Sequence, residues 1–121
     1  MNTIIQEGNA EDFFKRGRGV AQLADKGEPI PNQRIISFEN RDDLIDLITK
    51  AKLNLILEVK SKPGSIADLS ARLKRDRSSV ARDIVKLAKF GLLIVEEKPF
   101  PGHGRMKEVR AASENLLLSV L

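Results

Sequence analysis

The sequence predicts an α+β fold on three observations. From Ser65 to Gly91 it reads as two short amphipathic helices around a tight polar turn, with apolar residues recurring at helical spacing. An apolar run, Leu92-Leu-Ile-Val, follows at once, and a second strand-like run from Met106 to Ala111 lies beyond a loop rich in proline and glycine. Ahead of both, Asn9 to Lys26 has the pattern of a helical arm, stopped by Gly27 and the breaker Glu28-Pro29-Ile30-Pro31.

A length of 121 residues suits one domain with an additional arm. The expected division is an arm with a short strand over residues 1–38 and the helix-turn-helix with its hairpin over 39–121. Apolar residues at 41% and charged residues at 31% describe a folded chain rather than a disordered one. With five Phe and neither Trp nor Tyr, the core must be aliphatic. The absence of Cys excludes disulfides, zinc fingers and thiol nucleophiles, and one His cannot assemble a metal site within the chain. No cofactor is therefore expected. Met1 to Glu7 lacks the basic head and apolar run of a secretory signal, and no stretch approaches the ~20 apolar residues of a membrane span. A cytoplasmic location with no membrane partner is the expectation.

Taken in order, Asn9 caps the arm helix, with Glu11 and Asp12 where the helix dipole favours negative charge. Phe13, Val20, Leu23 and Ala24 fall near one face. Phe13 and Phe14 read as packing anchors, while Gly17 and Gly19 cost roughly 1 kcal/mol each inside a helix. Arg34 to Phe38 is a strand candidate. Asn40 caps a helix to about Ile48, in which Asp42, Asp43 and Asp46 read as solvated charge. Thr49 or Lys50 starts the next helix, where Leu53, Ile56, Leu57 and Lys60 trace a stripe that Leu55 and Val59 widen. Pro63-Gly64 ends it. Ser65, with Asp68 three residues on, makes a variant of the capping box. Lys74-Arg75-Asp76 is the turn, and Asp76 caps the helix from Arg77 to Phe90. Val80, Ile84, Leu87 and Ala88 point inward, with Ser78, Ser79, Arg82, Lys86 and Lys89 largely on the other side. A hairpin directly after such a pair makes the arrangement a winged helix-turn-helix with an N-terminal helical arm.

The net charge of +4 is unevenly spread. Between Arg72 and Lys89 seven basic residues face two acids, and the hairpin adds Lys98, Arg105, Lys107 and Arg110 against Glu108. Such a patch suits phosphate neutralisation with counterion release, so double-stranded DNA is the expected partner. Arg77, Ser78 and Ser79 would enter the major groove first, and Arg82 one turn on would reach base edges, where arginine fits the O6 and N7 acceptors of guanine. Lys74, Arg75 and Lys86 would hold phosphates and fix register. Gly102-His103-Gly104 frees the wing tip, bringing His103, Arg105 and Lys107 toward the minor groove or flanking backbone. With about eight phosphates contacted by a homodimer, the log–log salt slope would be near −7. Enzyme chemistry has no support, since no Ser–His–Asp spacing, paired acid in a glycine-flanked cleft or phosphate-binding glycine loop is present.

From Ser65 to about Arg110 the chain resembles winged helix-turn-helix regulators of the MarR and ArsR type. Ile66-Ala-Asp-Leu-Ser-Ala-Arg-Leu, Ser79-Val-Ala-Arg-Asp-Ile-Val-Lys-Leu and Phe90-Gly-Leu-Leu carry that resemblance. Asp12-Phe-Phe-Lys-Arg-Gly, Gly27-Glu-Pro-Ile-Pro, Ile36-Ser-Phe-Glu and Leu47-Ile-Thr-Lys extend it to small prokaryotic DNA-binding proteins, some of them antitoxin components encoded beside a toxin. The resemblance implies a recognition helix at 77–90, a wing at 92–111 and a final strand from Leu116; a helix capped by Ser113 is the alternative for that tail. Metal sensing of the ArsR type is not carried over, because its Cys and His ligands are missing. Two functions follow as expectations. The first is a sequence-specific transcriptional regulator, dimeric through the Asn9–Lys26 helix and the apolar tail. The second is an antitoxin-type interaction module that binds a partner toxin and autoregulates its operon.

Overall fold

The computed structural model describes residues 2–29, 32–99, 101–102 and 104–119. In chain order the elements are β1 (Asn2–Glu7), α1 (Ala10–Asp25), β2 (Gln33–Phe38), α2 (Arg41–Leu47), α3 (Lys50–Ser61), α4 (Ile66–Leu73), α5 (Arg77–Lys89), β3 (Leu93–Pro99), β4 (Arg105–Ala111) and β5 (Asn115–Ser119). They form two compact units, Met1–Asp46 with Asn115–Leu121, and Leu47–Glu114. The break between them falls after Asp46, and the tail from Asn115 belongs to the N-terminal unit.

In that unit, β1 lies between β2 and β5 in a parallel three-stranded sheet. The expected strand at 34–38 is β2, whereas β1 was not expected ahead of the arm helix. Its signal is the run Thr3-Ile4-Ile5, since β-branched side chains suit an extended backbone. Parallel neighbours need a long crossover, and α1 supplies it between β1 and β2. The helix ends as expected at Gly27, whose left-handed φ of 70° lets its N–H donate to the Ala24 carbonyl at 3.1 Å while Glu28 N–H donates to the Leu23 carbonyl at 2.9 Å. Asn40 caps α2 by accepting from Asp42 N–H at 2.8 Å, and α2 buries Leu44 in this unit. The tail is a strand, as the resemblance implied, and Leu116 pairs in register with Thr3.

The second unit packs three helices against a hairpin. Leu55, Val59, Leu69, Val80, Leu87 and Val109 are wholly buried, forming the aliphatic core the composition demanded. Burial of each leucine side chain contributes about 1.5–3 kcal/mol. In α3 the buried pair is Leu55 and Val59, whereas Leu57, assigned to the stripe from sequence, is 64% exposed. Apolar residues surround that helix, so periodicity alone left its rotation undetermined. Ser65 and Asp68 close a full capping box at the start of α4. Lys74 ends α4 in the left-handed region, with φ 54° and ψ 44°.

Gly64 joins the hairpin to the helices. Its N–H and carbonyl both pair with Val109 across an isolated bridge. A Cβ there would lie 3.0 Å from Arg72 Nη2 and 3.2 Å from Asp68 Cβ, so any side chain would make Arg72 and Asp68 give by a few tenths of an ångström. No helix among the described residues is long and apolar enough to cross a membrane.

Candidate nucleic-acid interface

Helix α5 is fixed by its cap, its buried face and a clamp. Asp76 accepts from the backbone N–H of Ser78 at 3.1 Å and of Ser79 at 3.3 Å, and the Ser78 hydroxyl also donates to it. The Ser78 hydroxyl, followed by the Ser79 N–H, holds the Asp76 carboxyl below its ordinary value of 3.8. Val80, Ile84 and Leu87 are buried at the spacing i, i+4, i+7.

The clamp engages one residue expected at phosphate. Arg75, assigned to phosphate from sequence, directs Nη2 to Asp83 Oδ2 at 2.6 Å and to Ser79 Oγ at 2.8 Å. Lys52 of α3 lies 3.9 Å from the other Asp83 oxygen. Arg75 and Asp83 are both largely covered, so this charge-assisted contact is stronger than an exposed pair. It engages Arg75 and Ser79 in orienting the helix. Arg72 braces α4 in the same way, donating to the Lys62 carbonyl at 2.8 Å and pairing with Glu58 at 3.4 Å.

The outward face of α5 differs from the expected set. Ser78 and Arg82 are exposed as expected, but Lys86 is half-buried and Ser79 turns toward Arg75. The exposed stripe is Ser78, Arg82, Val85 and Lys89, at spacings i, i+4, i+7 and i+11. Val85, 69% exposed, was missed because an aliphatic residue was not counted as a reader of DNA. An aliphatic side chain on such a face suits the thymine methyl group. Arg77 is exposed beside the cap. Arg77, Arg82, Lys86 and Lys89 form no ion pair with a described residue.

In the hairpin the positive charge is mostly matched. Glu96 and Glu97 on β3, left out of the charge comparison, lie across from the β4 cations. Arg105 pairs with Glu97 at 3.4 Å, Lys98 with Glu108 at 2.7 Å, and Arg110 with Glu96. These are diagonal contacts set by the register Glu97↔Lys107 and Glu96↔Glu108. Lys107 is exposed without an ion pair to a described residue. The assignment of His103 lies outside the described residues. Among the described residues, no group of three or more His, Cys, Asp or Glu could hold a metal ion.

Two amphipathic helices joined by a tight left-handed turn, with the second presenting an exposed basic stripe and leading into an antiparallel hairpin, define a winged helix-turn-helix protein. The chain belongs to the HVO_A0114 family, whose model matches residues 47–113, more than half of the sequence and nearly all of the second compact unit. Among solved structures it is similar to a possible transcriptional regulator from Methanosarcina mazei Go1, with 26% identity and a TM-score of 0.50 over 64% of this chain and 68% of that one. It is also similar to the ST1889 protein of the thermoacidophilic archaeon Sulfolobus tokodaii, with 19% identity and a TM-score of 0.47 over 61% and 73% of the two chains. A MarR-like transcriptional regulator from Thermotoga maritima shares 19% identity at a TM-score of 0.46 over 88% and 67%. No curated protein sequence matches the chain.

Proposed function

We propose that the protein is a DNA-binding transcriptional regulator that lays α5 in the major groove. The observation that carries this reading is the exposed stripe of Ser78, Arg82, Val85 and Lys89 on a helix whose opposite side is buried. Arg82 would contact guanine and Val85 a thymine methyl group, while Arg77, Lys86, Lys89 and Lys74 hold phosphates. Arg75 and Ser79 act as positioning residues through Asp83. In the wing, Lys107 contributes an exposed cation with no ion pair to a described residue, and Arg105 would reach phosphate only by exchanging Glu97 for it. The working form is a homodimer, since two recognition helices one DNA turn apart multiply modest half-site affinities. The similarity to a possible regulator from Methanosarcina mazei Go1 supports the same reading.

Sequencing the genomic DNA that co-purifies with the protein gives the operator. Arg82→Ala should then weaken operator binding by about 1–3 kcal/mol and relax preference at one base position. An unchanged ratio of operator to random-DNA affinity in that variant would remove Arg82 from base recognition.

A further inference from the structure

The parallel sheet of the N-terminal unit has two unlike faces. Register places Thr3, Arg34 and Leu116 in one row and Ile5, Ile36 and Leu118 in the next; on the central strand this face completely buries Thr3 and Ile5, while Leu118 at its edge is 50% exposed. The opposite face remains open. Its middle row is Ile35, Ile4 and Leu117, and Ile4 is only half-buried although it sits on the central strand between wholly buried Thr3 and Ile5. Gln33, Asn2 and Asn115 form the row on one side, and Ser37, Gln6 and Ser119 the row on the other. Side-chain hydrogen bonds tie these outer rows, from Asn115 Nδ2 to Asn2 Oδ1 at 3.1 Å and from Gln6 Nε2 to Ser37 Oγ at 3.3 Å.

We propose that this open sheet face, centred on the row Ile35, Ile4 and Leu117, is where a second copy of the chain docks. All nine residues are uncharged in a chain that is 31% charged. A face without cations has no charge with which to neutralise a phosphate backbone, and one without charge meets its own copy free of repulsion. The stronger argument is its symmetry. A twofold axis along β1 sets Ile4 against Ile4, Ile35 against Leu117 of the second copy, Gln33 against Asn115 and Ser37 against Ser119. Each row thus meets its own chemistry, as an isologous interface requires. An aliphatic centre with a polar uncharged rim matches the anatomy of such contacts. Parallel sheets are also normally covered on both faces, and near-aligned stacking of two sheets about 10 Å apart is a standard packing mode.

Three strands about 4.8 Å apart and five residues long present roughly 240 Å², well below the ~800 Å² per partner of a stable interface. Pairing through the sheet alone is therefore weak.

The proposal specifies the dimer of the regulator reading above, but its test needs no DNA. Sedimentation of the full chain across a concentration series into the high-micromolar range should show reversible dimerisation. Leu117→Glu and Ile35→Lys should each weaken it by more than about tenfold, because either one buries an unpaired charge. Mixing the two variants, or combining them in one chain, should restore association, since the axis places 35 against 117. Circular dichroism melts confirm that each variant is folded; both positions retain solvent contact, and Leu117→Gln is the milder substitute should Glu unfold the sheet. A monomeric wild type, dimers that ignore both substitutions, or no recovery on mixing would overturn the proposal, as would preferential capture of a different protein by the wild-type face. If the dimer behaves as stated while neither wild type nor Leu117→Glu retards DNA, the interface stands and the DNA-binding reading fails.

Discussion

At the scale of single residues, the turn between α4 and α5 concentrates the conflict between stability and function. Lys74 adopts φ 54°, a region that disfavours side chains with a Cβ. Lys74→Gly should therefore raise Tm, reflecting roughly 0.5–1 kcal/mol after the extra entropy of an unfolded glycine is subtracted. The same change removes a cation and should make the salt slope of DNA binding shallower by about 0.9 for each phosphate lost. A shallower slope with an unaltered Tm would mean that the turn is not strained; a higher Tm with an unaltered slope would mean that Lys74 touches no phosphate. The capping residues Ser65 and Asp76 were legible in the sequence because a cap needs only a short polar side chain at a fixed offset. The Arg75–Asp83–Lys52 clamp was not legible. It joins residues on three separate segments, and nothing local distinguishes an arginine that orients a helix from one that meets phosphate.

At the scale of elements, charged residues around α5 fixed its rotation, and its buried face of Val80, Ile84 and Leu87 is the one expected. Apolar residues around α3 gave no such fix, and Leu57 went to the wrong side. The strand β1 was missed because its alternation is incomplete: Ile4 and Ile5 are adjacent and face opposite sides of a sheet that buries one and leaves the other open. The hairpin gives the prediction proper to this scale. Its cations lie in a cross-strand lattice with Glu96, Glu97 and Glu108, which lowers its attraction for DNA. Glu97→Gln should release Arg105 and remove the charge opposite Lys107, raising affinity for random DNA and steepening the salt slope by about 0.9. An unaffected slope would show that the wing does not approach the backbone. Exposed pairs of this kind contribute little to stability, so Tm should shift by less than the equivalent of about 1 kcal/mol.

At the scale of the whole molecule, the chain divides its tasks between two compact units. The unit from Leu47 to Glu114 carries the cationic helix and coincides with the family match, and the sequence from Ser65 to Arg110 resembles regulators for that reason. The other unit gathers the two ends of the chain into one sheet, a pairing across more than a hundred residues that no local pattern announces. Everything proposed about DNA depends on the stripe Ser78, Arg82, Val85 and Lys89 being the surface that DNA covers. Because the chain contains no cysteine, single cysteines can report this directly. Val85→Cys and, on the acidic helix α2, Ile45→Cys both start from exposed positions. The decisive measurement is the rate of maleimide labelling of each variant, free and saturated with DNA. The account predicts that DNA slows labelling at position 85 by more than about tenfold, as expected for a side chain held in the major groove, and leaves position 45 unaffected. Labelling of position 85 at the same rate with and without bound DNA would contradict it.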